Sequence, residues 1–177
     1  MEADRLSVRE MELNDAVRIV DYFVNADRDF LIGMGADPDK LPSKIEWLKL
    51  LEEEFLKPLK EKEFYYIIWL INGEPVGHSN INKIEYGETA TMHLHLWINA
   101  KRKSGYGLEF MKMTLPYFFK EFELKTLICE PYAENPAPNK ILPKLGFEFI
   151  GPITKTPGWI NFKQTVNRFE LSNKNFI

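Results

Sequence analysis

The stretch Arg102-Lys103-Ser104-Gly105-Tyr106-Gly107 decides the fold because of the segments on either side of it. Residues 92–98 alternate in polarity, which predicts a β-strand. Residues 108–122 carry apolar side chains at helical spacing, which predicts an amphipathic helix. A strand, a basic glycine turn and a helix form an anion cradle, because glycine lets the backbone approach a ligand and the first N–H groups of the helix point at it. The segment therefore predicts a phosphate or pyrophosphate site.

Two better-known phosphate loops fit this segment less well. A dinucleotide fingerprint would have a third glycine at position 110, where the chain has Phe110, although Glu130 resembles the acid that would bind a ribose. That fingerprint normally lies in the first strand–helix turn of its domain, whereas about a hundred residues precede it here. The triphosphate-binding loop requires a Gly-Lys-Ser or Gly-Lys-Thr run, which the sequence lacks. A third type of pyrophosphate loop is therefore favoured.

The pattern Arg102-x-x-Gly105-x-Gly107 resembles the coenzyme A pyrophosphate loop of the GNAT superfamily of N-acetyltransferases. Residues 135–147 resemble the second motif of that family, in which an Asn is followed by a short helix that closes on Leu-Gly-Phe. Gly146 is expected to end this helix in the left-handed conformation. The likeness covers residues 64–151 best. It is nearest to the RimJ/RimL-type branch and to the siderophore and aminoglycoside 6′-N-acetyltransferase branches.

The remaining segments predict an α/β (α+β) fold in one domain that covers residues 1–177. The order of elements is β-α-α-β-β-β-α-β-α-β-β, which is the order of this family. We expect a mixed, mostly antiparallel sheet of about seven strands flanked by about four helices. Ser43 and Glu46 predict a capping box, and Asn72-Gly73 predicts a primed hairpin turn. Residues 33–42 are predicted to form a loop, and Pro143 is expected to shorten the last helix.

The composition argues against several classes of function. The chain has 177 residues, with 23 Lys or Arg against 26 Asp or Glu and a net charge of −3, so we expect no nucleic-acid partner. The longest apolar run, residues 64–71, is too short to span a membrane, and the N-terminus lacks the pattern of a signal peptide. Cys129 is the single cysteine, so no internal disulfide can form. We expect a cytoplasmic protein that is a monomer or homodimer.

The reaction that the resemblance implies is transfer of an acetyl group from acetyl-CoA to a primary amine by direct attack. It requires a base, because a free alkyl ammonium has a pKa near ~10.4. His93, His95 and Trp97 share one face of the predicted fourth strand, and the opposite face should pack under the next helix. His93 lies where siderophore and arylalkylamine acetyltransferases have a catalytic histidine, so it is the first candidate, before His95 and then Glu130. A strand histidine satisfied by a local hydrogen bond is the plain alternative.

The resemblance also implies how acetyl-CoA, the expected co-substrate, is held. Main-chain N–H groups near Trp97 and Ile98 would bind the acetyl carbonyl. The usual general acid of the family is missing, because Leu142 and Pro138 stand where many members have Tyr and Ser. Tyr106 and Tyr132 are the candidates for this role. The other expected contacts with the co-substrate come from Arg102, Lys103, Ser104, Gly105, Tyr106, Gly107, Asn135, Asn139 and Lys140.

Two alternatives stay open from the sequence. His78, His93 and His95 would suit a three-histidine zinc site if all three share a face. A non-catalytic acyl-CoA-binding module is the other alternative, because of the missing Tyr and Ser. The sequence does not specify the acceptor, which is a small-molecule amine or a peptide amine.

Overall fold

The computed structural model describes residues 4–98 and 105–176. This part of the chain forms a seven-stranded sheet in the order β1-β2-β3-β4-β5-β7-β6 and five α-helices. The strands are β1 (Leu6–Glu10), β2 (Phe64–Ile71), β3 (Glu74–Glu85), β4 (Thr89–Leu96), β5 (Thr126–Cys129), β6 (Glu148–Lys155) and β7 (Gln164–Ser172). The helices are α1 (Asp15–Val24), α2 (Arg28–Gly33), α3 (Lys44–Leu56), α4 (Tyr106–Glu121) and α5 (Pro136–Ile141).

The sheet is antiparallel except where β4 pairs with β5, which run parallel and are joined by α4. The predicted α/β fold with a mostly antiparallel sheet is confirmed. The number of helices differs from the expected four, because α2 is an additional short helix between α1 and α3. The predicted loop at residues 33–42 is also partly ordered, since it contains a 3-10 turn at Pro38–Lys40.

Two apolar layers cover the sheet. On one face, Trp69 of β2 stacks on Phe110 of α4 at a centroid distance of 5.1 Å and donates through Nε1 to Thr114 Oγ1 at 3.0 Å. On the other face, Phe23 of α1 packs on Trp47 of α3 at 5.0 Å. β2 contributes to both layers, which explains why it is apolar almost throughout. As predicted, α4 packs against the apolar face of β4, which carries Met92, Leu94 and Leu96.

The turns and caps follow the chemistry of their residues. Asn72 and Gly73 both have positive φ, 53° and 86°, which confirms the primed hairpin turn. Ser43 and Glu46 form the predicted capping box at the start of α3. Pro143 lacks an amide donor, and the second-motif helix changes at Leu142–Leu145 from α to 3-10 geometry before Gly146 ends it at φ 90°.

The segment between β6 and β7 is tied to the turn after α2. The Gly35 carbonyl accepts hydrogen bonds from Gln164 Nε2 at 2.7 Å and from Asn161 Nδ2 at 2.8 Å. The Asp37 N–H donates to the Ile160 carbonyl at 2.7 Å. Gly35 has a φ of 88°, and a Cβ there would lie 2.3 Å from Gln164 Oε1. Another residue at this position would be strained by its φ and would require the Gln164 side chain to move.

Candidate active site

The sheet opens between β4 and β5. Their parallel ladder ends at Met92 and Cys129, whereas β4 continues to Leu96. β4 remains paired with β3 up to Leu96, and the register is regular from Thr91 onward. The chain after β5 instead follows β7, because the Asn167 N–H donates to the Pro131 carbonyl at 3.0 Å. Beyond Met92 and Cys129 the two strands therefore diverge, and the opening between them divides the sheet into two wings.

The N-terminus of α4 lies just beyond the end of β4 in the sequence. Gly105 caps this helix in the left-handed conformation, with a φ of 85°, and a Cβ there would meet nothing within 4 Å. Among residues 4–98 and 105–176, nothing therefore fills the space in front of the first turn, which agrees with the predicted anion cradle. At Gly107, by contrast, a Cβ would lie 3.3 Å from Ile141 Cδ1, so this glycine lets α4 approach α5. The other predicted pyrophosphate contacts before α4, Arg102, Lys103 and Ser104, lie outside the described residues.

The predicted acetyl-carbonyl site at Trp97 and Ile98 is only partly available. The Trp97 N–H donates to the Val76 carbonyl of β3 at 2.8 Å, so this amide is already engaged. Because successive amides of an extended chain point to opposite sides, the Ile98 N–H is the one directed toward the opening. Ile98 stays a prediction for this role. The Trp97 side chain lines a cleft between α1, α2 and β4.

His93 and His95 lie on the face of β4 that is opposite α4. The His95 ring packs against Tyr22 at 5.5 Å and against Phe23 at 5.1 Å, both residues of α1. His93 is partly buried, and its Nε2 lies 3.2 Å from Asn82 Oδ1. Burial and the nearby positive charge of Lys83 lower the pKa of His93 to about 4. His93 is therefore neutral at pH 7 and a weak proton acceptor.

Glu130 does not face solvent as a free acid. Its side chain is 5% exposed, and its carboxylate pairs with Lys155 Nζ at 2.5 Å and with Arg168 Nη1 at 3.2 Å. These contacts tie β5 to β6 and β7. Both oxygens are engaged, so the geometry favours a structural role for Glu130 over that of a base.

The asparagines of the second motif hold the loop between β5 and α5. Asn135 caps α5, with Oδ1 accepting from the Ala137 N–H at 3.4 Å. Asn139 Nδ2 donates to the Tyr132 and Asn135 carbonyls at 2.9 Å and 2.7 Å, and its Oδ1 accepts from Asn167 at 2.8 Å. These side chains shape the wing that carries β5. Lys140 is exposed on α5, and its predicted contact with the co-substrate stays a prediction.

The candidate general acids differ in their surroundings. The Tyr106 hydroxyl donates to Asp4 Oδ2 at 2.8 Å and is directed toward the start of β1. Tyr132 follows β5 and packs on Phe162 at 5.7 Å, and burial together with Glu134 raises its pKa. Leu142 is completely buried in the core. Tyr132 is therefore the better placed of the two tyrosines.

A cleft that the sequence did not predict lies between the end of α1, the start of α2 and the end of β4. Its volume is about 480 Å³, and the aromatic rings of Tyr22, Phe30 and Trp97 line it. The Tyr22 and Phe30 rings meet edge to face at 5.9 Å. The missed signal was Asp27, an N-cap residue type that begins α2. The rest of the lining consists of three charged residues and two others: Arg18, Asp21, Asp27, Asn25 and Ala26.

The structure also bears on the zinc alternative. His78 and His95 are directly opposite each other in the β3–β4 register, with rings 4.9 Å apart, and His93 is on the same face. His78 Nδ1, however, accepts a hydrogen bond from Trp97 Nε1 at 2.9 Å. Among residues 4–98 and 105–176, no group of three or more His, Cys, Asp or Glu side chains could hold a metal ion.

The sheet order, the glycine-capped helix after β4 and the short helix that Gly146 ends agree with the class of acetyltransferases that the sequence resembles. The sequence matches the family model described as an acetyltransferase (GNAT) domain over residues 5–148. The chain therefore belongs to the GNAT family and is an N-acetyltransferase that uses acetyl-CoA to acetylate an amine. No curated protein matches the chain at a significant level.

Solved structures share the whole fold. Spermidine N-acetyltransferase from Vibrio cholerae, in complex with CoA and spermine, is 18% identical with a TM-score of 0.77, and the match covers 97% of both chains. The ribosomal α-N-protein acetyltransferase RimL, in complex with coenzyme A, is 14% identical with a TM-score of 0.76 over 94% of this chain and 93% of that chain. Ribosomal-protein-S5-alanine acetyltransferase from Vibrio fischeri is 18% identical with a TM-score of 0.74 over 100% and 98%. At these identities the likeness concerns the fold.

Within the described residues, no helix combines the length and the apolar character needed to cross a bilayer.

Proposed function

We propose that this acetyltransferase acts on a positively charged primary amine that binds in the cleft between α1, α2 and β4. The observation that carries the proposal is the lining of the cleft, which combines three aromatic residues, Tyr22, Phe30 and Trp97, with carboxylates; aromatic and acidic side chains are the types that attract a cation. Asp21 is paired with Lys44 at 2.5 Å, so Asp27 is the carboxylate that would meet the ammonium group. Arg18, on the same wall, would repel it.

His95 is the base that this arrangement favours. Its ring contacts Tyr22, which lines the cleft, whereas His93 lies toward Asn82 and Glu130 is held by two cations. A proton can pass from the amine to His95 directly or through one water. This order differs from the one that the sequence suggested, because the surroundings of His93 lower its pKa.

The proposed reaction is a direct transfer. Bound acetyl-CoA supplies the acetyl group as a thioester. The ammonium group first gives one proton to the base. The neutral amine nitrogen then forms a bond to the acetyl carbon, the carbon–sulfur bond breaks, and the nitrogen releases a second proton to solvent. The thiolate then takes a proton from solvent or from Tyr132. A thiol pKa near ~8.5 makes the thiolate a tolerable leaving group without an assigned acid.

An amine panel tests the acceptor. The panel should include small diamines, aromatic alkylamines and peptides with free N-termini, because polyamine and ribosomal-protein acetyltransferases share this fold. Release of free thiol is measured for each amine. We expect activity to be highest with acceptors that carry a positive charge besides the reacting amine. Equal rates with neutral and charged acceptors would contradict the proposal.

Two substitutions test whether the acceptor amine binds in this cleft. Asp27→Asn should raise KM for a charged amine several-fold, roughly the effect of one exposed charge pair, and leave KM for acetyl-CoA unchanged. Arg18→Gln should have the opposite effect on the amine KM. Asp29→Asn is the matched control, because Asp29 is exposed in the first turn of α2 and does not line the cleft. If Asp27→Asn and Asp29→Asn behave alike, the acceptor binds elsewhere.

We also infer a cytoplasmic location. Cys129 is buried in β5, and burial together with the charge of Glu130 raises its pKa to about 12, so it is an unreactive structural thiol. Fractionation of cells that express the tagged protein tests the inference, and recovery of the protein in a secreted fraction would contradict it.

A further inference from the structure

Two hydrogen bonds hold Trp97 just beyond the end of β4. Its main-chain N–H donates to the Val76 carbonyl at 2.8 Å, and its indole Nε1 donates to His78 Nδ1 at 2.9 Å. The first bond fixes the backbone, and the second fixes the rotation of the ring. The indole is only partly buried and lines the cleft, so its orientation determines the shape of that wall.

His78 is a rigid support for this ring. It is 1% exposed, and its ring packs 4.9 Å from that of His95 and 5.6 Å from that of Tyr66. An indole nitrogen can only donate, so His78 Nδ1 is the acceptor and the ring proton is on Nε2. Burial lowers the pKa of His78 well below its ordinary value, which keeps this acceptor available at neutral pH. Breaking this hydrogen bond would leave a buried acceptor unsatisfied, which costs free energy, so the bond favours a single orientation of the indole.

We propose that His78 is a positioning residue for the acceptor: it orients the Trp97 indole so that the ring forms one wall of the cleft beside Tyr22 and Phe30. The inference rests on the proposed function, since the cleft must be the acceptor site. His78 is buried behind Trp97 and does not touch the amine. Its effect passes through the ring that it holds, and it acts on binding of the amine more than on the transfer step.

Kinetics of three variants test this role. His78→Leu removes the acceptor at similar size and should raise KM for the amine roughly two- to tenfold, the usual value of one hydrogen bond, with little change in kcat. His78→Asn should restore the wild-type KM, because Asn Oδ1 occupies nearly the position of His Nδ1. Trp97→Phe removes the donor and should make a further His78→Leu substitution silent. Independent, multiplying effects of His78→Leu and Trp97→Phe would overturn the proposal.

The indole N–H resonance of Trp97 gives a second readout, because it reports directly on the hydrogen bond to His78. The Trp97 signal, assigned by its loss in Trp97→Phe, should shift in His78→Leu and return in His78→Asn. If His78→Leu does not fold, the other two variants still test the proposal. The proposal then requires that the indole N–H signal of His78→Asn stays at the wild-type position and that Trp97→Phe raises KM for the amine. Failure of either result would overturn it. If Asp27→Asn leaves the amine KM unchanged, the proposed function has failed. If Asp27→Asn raises it and His78→Leu does not, only this inference has failed.

Discussion

Met92 and Cys129 form the last pair of the parallel β4–β5 ladder, and the Cys129 thiol donates to the Met92 carbonyl at 3.3 Å. Beyond this pair, each strand is held by its other neighbour: β4 by β3, and the chain after β5 by β7 through Asn167 and Pro131. The opening between the wings is therefore built into the sheet. We expect acetyl-CoA to bind in this opening, where no β4–β5 hydrogen bonds would have to be broken.

The first prediction concerns the glycine cap of α4. Acetyl-CoA should raise the melting temperature of the wild type, because a ligand that binds only the folded state stabilises it. Gly105→Glu should abolish this shift, since it puts a negative side chain into the open space where the pyrophosphate is expected. Calorimetry and thermal melts measure both effects.

Gly87→Glu is the matched control for this prediction. Gly87 also has a positive φ, 77°, and open space at its Cβ position, but it lies in the turn before β4. This variant should lose a similar amount of stability, about 1 kcal/mol, and keep the full acetyl-CoA shift. Loss of the shift in both variants would mean that strain, rather than the cradle, is responsible.

The second prediction separates the histidines of β4. With a responsive amine, His95→Ala should lower kcat/KM by roughly 10²–10⁴-fold near neutral pH, the usual effect of losing a positioned base. The deficit should shrink at high pH, where more of the amine is already neutral. His93→Ala should cost less, because His93 has a pKa of about 4 and contacts Asn82. If the larger loss occurs in His93→Ala, the order that the sequence suggested is correct.

The third prediction concerns acid stability. Burial lowers the pKa of His78 well below its ordinary value, and burial and Lys83 lower that of His93 to about 4. In the unfolded chain both titrate near ~6.5, so the unfolded state binds more protons between these values. The contribution of these two histidines to the free energy of unfolding is therefore fully present above about pH 6.5 and is lost as the pH drops toward 4. The share of His93 is at most about 3 kcal/mol, at about 1.36 kcal/mol for each pKa unit.

Urea unfolding at several pH values between 7 and about 4 tests this directly in the wild type and in His93→Gln. Carboxylates also titrate in this range, but they contribute equally to both proteins. The difference in unfolding free energy between the two proteins should therefore change with pH. Parallel pH profiles would contradict the low pKa of His93.

The fourth prediction concerns the second motif. Gly146→Val should destabilise the protein by roughly 1–3 kcal/mol, because a β-branched residue tolerates φ 90° poorly. Asn135→Ala should cost about 1 kcal/mol as a lost helix cap and should weaken catalysis if the loop shapes the acyl-CoA groove. Denaturant melts and steady-state rates on the same samples separate the two effects. Full activity in folded Asn135→Ala would leave this residue a cap alone.

The sequence predicted those parts of the fold that local chemistry determines. The capping box at Ser43 and the positive φ values of Asn72 and Gly146 depend on the residues themselves and their near neighbours. α2 was not predicted, because six residues that include Gly33 carry too weak a periodic pattern. The N-cap residue Asp27 was the one local signal for this helix.

The candidate site was harder to predict, because its chemistry depends on contacts between distant segments. Pattern placed His93 and His95 on one face of β4, which is correct. It could not reveal that Glu130 is paired with Lys155 and Arg168, since these residues follow much later in the chain. The cleft likewise combines residues from α1, α2 and the end of β4.

The contact of Gly35 with Asn161 and Gln164 bears on the order in which parts of the protein can fold during synthesis. The hydrogen bonds join residues that are 126 and 129 positions apart, so the turn after α2 obtains these partners only when the last hairpin of the sheet has been synthesised. Closing such a long loop is a late entropic step. During translation, the turn after α2 therefore lacks these two hydrogen bonds until residue 164 has been added and is free to fold.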